Sequence, residues 1–434
     1  MSKLQPVRGT HDILPDEFPR FAHVWNTARE VARLYGYAEM ATPIFEFTEL
    51  FARGMGETSD VVSKEMYSFT DRGDEGLTLR PEYTAGICRA FISNGLTQQV
   101  PLKVFAHGPM FRYERPQKGR QRQFHQIDVE VLGAPEPECD VEVISLAADI
   151  LQRLGILDCC TLSLNSLGDP ESRTAYRKVL IDYYSAHKAK LSEDSLRRLE
   201  RNPMRILDSK DEGDKAVNVN APSLGDYLNT AARDFFAAVK AGLEASGIAF
   251  TVEPSLVRGL DYYTHTAFEF VTTHLGAQGT VIGGGRYDGL IEALGGPPTA
   301  GIGWAGGIER LAMLANDPPK PERPVAIVPM GEAAERRALA LARELRDADV
   351  VVELAYKGNM KRRLQRANKL DASHALILGD AEMAKGVVAL KNFDDGTQRE
   401  VAFADIVEEL TVDAMGELAD LMGLDGIDDD EDKR

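Results

Sequence analysis

Apolar and polar positions alternate along the chain with a period that changes from segment to segment. Over 22–35 the apolar residues Val24, Ala28, Val31, Ala32 and Tyr35 recur at helical spacing, and Gly36 follows where a C-cap belongs. A strand-like run then ends at Pro43. Over 104–132 the pattern predicts two strands joined by the polar, glycine-containing loop 114–122, a hairpin with a long basic tip. With period 2, its second strand sets Phe124, Gln126, Asp128 and Glu130 on one face and Ile127, Val129 and Val131 on the other. Over 168–224 the pattern shifts to short charged helices interrupted by Pro and Gly, as in an inserted helical subdomain. Strand signals return over 250–270, and the glycine-rich 283–289 segment reads as a turn.

Pro318, Pro319, Pro321 and Pro324 mark a linker, after which the pattern resets. Strands are predicted over 325–328, 350–354 and 374–378, with an amphipathic helix over 335–347 and a basic helix over 361–370. Alternation of this kind implies a small α/β domain with a largely parallel sheet.

A chain of 434 residues exceeds a single core and predicts about three domains, or one large domain with appendages. Cys88, Cys139, Cys159 and Cys160 show no CxxC spacing, which argues against a disulfide scaffold or a structural zinc and for a reducing, cytoplasmic compartment. No apolar run approaches the ~18–20 residues of a membrane span. A net charge of −18 argues against general coating of nucleic acid, and an acidic block over 425–432 contributes to it. Two local patches are basic instead. One holds Arg112, Arg115, Lys118, Arg120 and Arg122; the other holds Lys357, Lys361, Arg362, Arg363, Arg366 and Lys369. Basic patches on an acidic body suit a specific polyanion site.

No P-loop is present, and Gly283-Gly-Gly-Arg-Tyr-Asp-Gly289 is not a dinucleotide fingerprint. The 111–130 hairpin is more informative: its loop offers cations and amides for phosphate, and its polar strand face offers a ring, an amide and carboxylates for a small ligand with hydrogen-bond donors. Arg258 stands among apolar residues and before two tyrosines, a place that calls for an anionic ligand or a structural pair with Asp261 or Glu269. In 301–311, small residues allow a strand and helix to pack closely, with Arg310 projecting from the helix start.

Taken together, these segments resemble the histidyl-tRNA synthetases, a family of class IIa aminoacyl-tRNA synthetases, from Arg8-Gly-Thr-His-Asp12 to about residue 410. Class motif 1 resembles the helix and strand ending at Pro43, motif 2 the stretch from Phe111-Arg112 through Gln126, and motif 3 the stretch from Gly303 to Arg310. Arg258-Gly-Leu-Asp-Tyr-Tyr263 and Gly284-Gly-Arg-Tyr-Asp-Gly289 resemble the two family-specific histidine motifs. The resemblance implies an α+β catalytic domain on an antiparallel sheet (1–167 and 225–317) with a helical insertion (168–224). A linker (318–324), an α/β anticodon-binding domain (325–412) and an acidic tail (413–434) follow.

By the same resemblance, Phe124 stacks on adenine with Arg310 on the other face, Arg112 holds the α-phosphate and Arg120 the outer phosphates of ATP. Glu82, Thr84 and Gln126 hold the α-ammonium of L-histidine, Glu130 and Tyr263 meet its imidazole near Tyr262 and Tyr287, and Tyr83 borders the pocket. Arg258 and Arg112 are the implied catalytic residues, Mg²⁺ the implied cofactor, and no protein nucleophile is needed. Arg115 and Gln117 would contact the acceptor stem of histidine tRNA, Arg362 and Arg366 its phosphates elsewhere, and the chain would be a homodimer. Tyr83, Trp304 and Gly306 depart from the residues common among bacterial relatives. Two rivals differ in testable ways. A synthetase-like regulatory subunit of ATP phosphoribosyltransferase typically lacks the Arg258 motif and the last domain; another class IIa synthetase would prefer a different amino acid.

Overall fold

The computed structural model describes residues 4–56, 59, 61–207, 209–260, 262–276 and 279–411, so the acidic tail and Asp261 lie outside the described residues. The chain divides into two compact units, Met1–Pro318 and Pro319–Arg434.

In chain order the first unit runs α1 (Phe18–Leu34), β1 (Ala38–Glu39), β2 (Phe45–Phe47), α2 (Thr48–Met55), β3 (Tyr67–Thr70), β4 (Gly76–Leu79) and α3 (Thr84–Ser93). The hairpin β5 (Leu102–Phe111) and β6 (Gln123–Leu132) follows, then α4 (Pro137–Arg153) and β7 (Thr161–Ser166). Next come α5 (Pro170–Ala186), α6 (Glu193–Arg201), α7 (Glu212–Asn218) and α8 (Thr230–Ala245). The unit closes with β8 (Thr251–Val252), β9 (Thr264–Val271), β10 (Thr280–Arg286), α9 (Leu290–Ala293), β11 (Gly301–Gly307) and α10 (Ile308–Leu314).

An eight-stranded sheet in the order β1-β5-β6-β11-β10-β9-β7-β8 organises this unit. Its interior pairings are antiparallel, and only the β1–β5 and β7–β8 pairs at its edges are parallel. The period-2 pattern of β6 explains how the sheet is used. Ile127, Val129 and Val131 join Trp304, Ile302 and Ile282 in a core beneath the sheet, closed by α1 and α4 through Val24, Ala28, Ile144 and Leu151. The opposite face carries Gln126, Asp128 and Glu130, all buried. Helix α1 has its apolar side on this core, and Gly36 supplies the left-handed residue (φ 78°) that ends it.

Of the segment read as a glycine-rich turn, 283–286 belong instead to the central strand β10, bonded on both sides, and only 288–289 form a turn. Glycine is unfavourable in strands, which is why the residues point to a turn; here close approach demands it. A Cβ on Gly284 would lie 2.1 Å from the Gly303 carbonyl oxygen, and one on Gly283 would lie 2.6 Å from the Arg258 guanidinium. Arg286, at the end of β10, is fully buried in an ion pair with Asp140 of α4.

Helices α5 to α7 pack around Tyr176, Leu180, Tyr184, Ile206 and Val217, a separate apolar cluster that takes in Tyr263 and Ala267 from the sheet. Asp214 ties this segment together by accepting bonds from the Ser192, Ser195 and Ser209 hydroxyls.

The second unit contains β12 (Val325–Pro329), α11 (Glu332–Asp347), β13 (Val352–Leu354), α12 (Met360–Lys369), β14 (His374–Leu378), α13 (Asp380–Lys385), β15 (Val387–Asn392) and β16 (Gln398–Ala402). Its sheet has the order β13-β12-β14-β15-β16 and is mixed, because β14, β15 and β16 pair antiparallel. The largely parallel expectation holds for β12, β13 and β14 alone.

Candidate active site

Helix α3 begins at the cavity face of the sheet, and its first turn is held by a carboxylate. Glu82 accepts the backbone N–H of Thr84 (2.7 Å) and of Ala85 (2.8 Å), the position where a helix presents unpaired donors. Thr84 in turn donates its hydroxyl to Glu130, and Tyr287 donates to the same carboxylate from beyond β10. Glu130 needs the space left by Gly303, whose Cβ would overlap it. Burial pushes the Glu130 carboxyl up to about 8. Burial also raises Glu82, and the Tyr262 and Tyr287 phenols well above their usual range.

Glu82, Thr84, Gln126, Tyr262, Tyr263 and Tyr287 line a cavity of ≈ 280 Å³ together with Arg112, Arg120, Phe124, Arg258 and Arg310. Arg258 pairs with Glu269 while its Nε has no protein partner, so the structural pair and the cavity-facing role coexist. Arg112 donates Nε to the Pro81 carbonyl (2.9 Å) and sets its guanidinium 5.3 Å from the centre of the Phe124 ring. Arg310 is anchored on the carbonyls of Gly119 (3.1 Å) and Thr280 (2.7 Å). Burial, then the Arg120 and Arg112 charges, lower the Arg310 guanidinium, against the smaller opposing effect of Glu309 and Glu269. Glu114 balances Arg120 by an ion pair. Gln126 Oε1, Asp128 Oδ2 and Arg258 Nε are buried and unbonded.

Six sequence-derived residues are not part of the cavity lining: Glu130, which is bonded to the Thr84 and Tyr287 hydroxyls, and Tyr83, Arg115, Gln117, Arg362 and Arg366. Tyr83 does not line the cavity: its ring packs under the Arg80 guanidinium (4.0 Å) and its hydroxyl donates to the His107 carbonyl (2.9 Å), so its size is absorbed by the core. Arg115 and Gln117 are exposed on the β5–β6 loop, outside the cavity. That loop is anchored to the N-terminal segment through Arg122, whose N–H donates to the Gly9 carbonyl (2.7 Å) and whose guanidinium stacks 3.9 Å from the Tyr113 ring centre. In the second unit Arg362 and Arg366 lie exposed on α12, with Arg366 bonded to Glu353, whereas Arg363 turns inward to the Gly358 and Pro329 carbonyls.

Trp304 and Gly306 pack against different neighbours. The indole donates to the Val143 carbonyl (3.0 Å), and Ile127, Ile282 and Leu311 close over Gly306 at 3.1–3.3 Å from where a Cβ would stand. Asp128, Glu269 and Glu309 also line the cavity. The strand pattern placed Asp128 on this face, but an alternating strand alone does not tell a ligand group from a solvated one.

Residues 9–311 match the family model for histidyl-tRNA synthetase, and residues 324–412 match that of an anticodon binding domain. The chain is 59% identical over 410 residues to a histidine–tRNA ligase of Rhodospirillum rubrum, covering 94% of this chain and 99% of that protein. It is 58% identical to the corresponding ligase of Gluconacetobacter diazotrophicus, covering 93% and 97%. Among solved structures, the apo histidyl-tRNA synthetase of S. aureus superposes with a TM-score of 0.80 at 35% identity, covering 94% of this chain and all of that one. A Bacillus halodurans protein described as an ATP phosphoribosyltransferase regulatory subunit/histidyl-tRNA synthetase matches at a TM-score of 0.63 and 20% identity, a likeness of fold.

Proposed function

The chain belongs to the histidyl-tRNA synthetase family, and from this we infer that it is a histidine–tRNA ligase: it activates L-histidine with ATP and transfers it to the 3′ end of histidine tRNA. The observation that carries the reading is the shared cavity, whose single lining combines carboxylates and phenols with the Phe124 ring and the arginines Arg112, Arg120, Arg258 and Arg310. A neutral imidazole offers one donor and one acceptor, so Glu130 and Tyr263 satisfy both nitrogens and disfavour apolar side chains. Phe124 and Arg310 take the adenine, and Arg112 and Arg120 take the phosphates.

In the first step the histidine carboxylate attacks the α-phosphorus in line and pyrophosphate leaves. Arg258 and Arg112 hold the reacting groups and neutralise charge that develops on the phosphoryl oxygens, without any covalent enzyme intermediate. Mg²⁺ arriving with ATP supplies further neutralisation of the phosphates. Glu114 and Glu269, carboxylates of the cavity lining, are those that would hold an ion that keeps water and phosphate ligands. In the second step the terminal hydroxyl of tRNA attacks the adenylate carbonyl. Arg115 and Gln117 are placed on an exposed loop that suits the acceptor stem, and Arg362 and Arg366 on an exposed basic helix that suits phosphate.

The working form is a homodimer in the cytoplasm. Ile44, Phe45, Phe47 and Phe69, around the small β2-β4-β3 sheet, expose apolar side chains that a second copy would cover. No described helix is long and apolar enough to cross a membrane, and all four cysteines are unpaired. Charging of histidine tRNA with labelled histidine tests the reading: acid-precipitable label is expected with histidine tRNA and absent with other tRNAs. Charging of another tRNA by another amino acid would overturn it.

A further inference from the structure

Arg258, Tyr262 and Tyr263 line the cavity, yet residues 257–260, 262 and 263 lie outside every helix and strand. Outside strand pairing, they make no backbone–backbone hydrogen bond with another described residue. Just before them the sheet still holds the chain, because Asn165 at the end of β7 donates to the Pro254 (3.2 Å) and Leu256 (2.9 Å) carbonyls. From Arg258 onward the hold comes from the helical insertion. Arg205, in the turn Pro203–Ile206 after α6, donates Nη1 to the Arg258 carbonyl (2.9 Å). Arg173, on α5, donates Nη1 to the Tyr263 carbonyl. The two bonds therefore grip both ends of the Arg258–Tyr263 motif. Both arginines are half-buried, where a charge-assisted bond to a carbonyl is stronger than at an open surface. Arg205 is itself fixed, since its carbonyl accepts Nη1 of Arg198 (3.2 Å) and Arg198 pairs with Asp194 on α6 (2.7 Å). Apolar packing runs the same way: Tyr263 is buried with Tyr176, Leu180 and Ile206 of the insertion, and Val257, Leu260 and Tyr262 pack against that cluster.

We propose that Arg173 and Arg205 are positioning residues of amino-acid activation, through which the insertion sets the Arg258–Tyr263 motif against the cavity. Arg205 acts through Arg258 on the phosphoryl step, and Arg173 acts through Tyr263 on the imidazole. The inference rests on the proposed histidine activation and gives the insertion a part in it. A carbonyl that shifts carries its own side chain with it, and a small misplacement of a reacting or binding group is costly in rate. The nucleotide-binding groups have separate anchors, Arg310 on the Gly119 and Thr280 carbonyls and Arg112 on the Pro81 carbonyl, so the two arginines of the insertion affect them little.

The test uses the full-length chain in histidine-dependent pyrophosphate exchange. Arg205→Ala is expected to lower kcat about tenfold or more, with KM for ATP changed by less than about twofold. In an Arg258→Ala background the same substitution is expected to cost less than about twofold further, because its effect passes through the guanidinium already removed. Arg173→Ala is expected to raise KM for histidine and the inhibition constant of histidinol together by about fivefold or more, since both compounds present the imidazole to Tyr263. Should either alanine variant fail to fold, methionine at that position keeps the apolar stem and is judged by the same readouts. A loss in Arg205→Ala that is equal with and without Arg258, a parallel rise in KM for ATP, or an unchanged kcat would overturn the role of Arg205. Unchanged histidine and histidinol constants in Arg173→Ala would overturn that of Arg173. The wild-type control separates the two levels: no exchange with histidine in wild type refutes the activity itself, whereas normal wild-type exchange with any of those outcomes refutes only the positioning roles.

Discussion

Arg258 joins structure to chemistry most tightly at the level of single residues. Its ion pair with Glu269 holds the guanidinium against the cavity, and its unbonded Nε leaves a donor for substrate. Arg258→Ala is expected to slow adenylate formation by about 10²–10³, the usual loss when a preorganised charge-stabilising donor is removed. A loss under about tenfold would remove Arg258 from the chemical step. Glu130 makes a prediction in pH. Its carboxyl rises from an ordinary 4.5 to about 8 in the folded chain, so between those values the folded state holds a proton that the unfolded state has released. Stability from this group is therefore greatest below about 4.5, falls as pH rises through the window, and levels off above about 8. Glu130→Gln should flatten that fall, read as denaturation midpoints of the substrate-free protein between about pH 5 and pH 9; equal slopes in variant and wild type would contradict it. Residue chemistry was legible where types cluster in order, as in Arg258 and the tyrosines after it. Tyr83 was misleading because its neighbours in sequence line the cavity while its own ring turns beneath Arg80.

Secondary-structure elements show where periodicity suffices and where it does not. The β5–β6 hairpin was readable because one face is apolar and the other polar, a pattern that survives burial of both faces. Strand β10 was not, since its glycines answer to a third strand and a guanidinium far away in sequence. The β15–β16 pair likewise follows from tertiary pairing on β14 rather than from alternation with helices. Two substitutions test these readings. Gly303→Ala places a Cβ into the Glu130 carboxylate and is expected to reduce histidine-dependent exchange and to lower stability by about 1–3 kcal/mol, measured by urea unfolding. Arg286→Ala strands the buried Asp140 carboxylate and is expected to cost about 3–5 kcal/mol by the same measurement. Losses under about 1 kcal/mol in either variant would mean that the surrounding strands relax more freely than their packing implies.

Across the whole molecule, an acidic body of net charge −18 carries two local clusters of basic groups, which favours a ligand recognised at defined phosphates over indiscriminate binding. The two-unit division falls at Pro318 and Pro319, within the proline-rich stretch that ends one periodic pattern and begins another. Association is a property that no single-chain pattern displays; it is argued from exposed apolar residues such as Phe47. Sedimentation equilibrium is expected to give twice the 47.7 kDa chain mass, and Phe47→Asp to shift it toward monomer; a monomeric wild type would contradict that account.

The central claim is that one cavity activates histidine with ATP. Amino-acid-dependent exchange of pyrophosphate into ATP, with Mg²⁺ and without tRNA, tests it most directly across a panel of amino acids. Exchange with histidine alone is the predicted result. Exchange with a different amino acid would keep the chemistry and overturn the pocket, and exchange with none would contradict the catalytic reading and favour a regulatory role for the same fold.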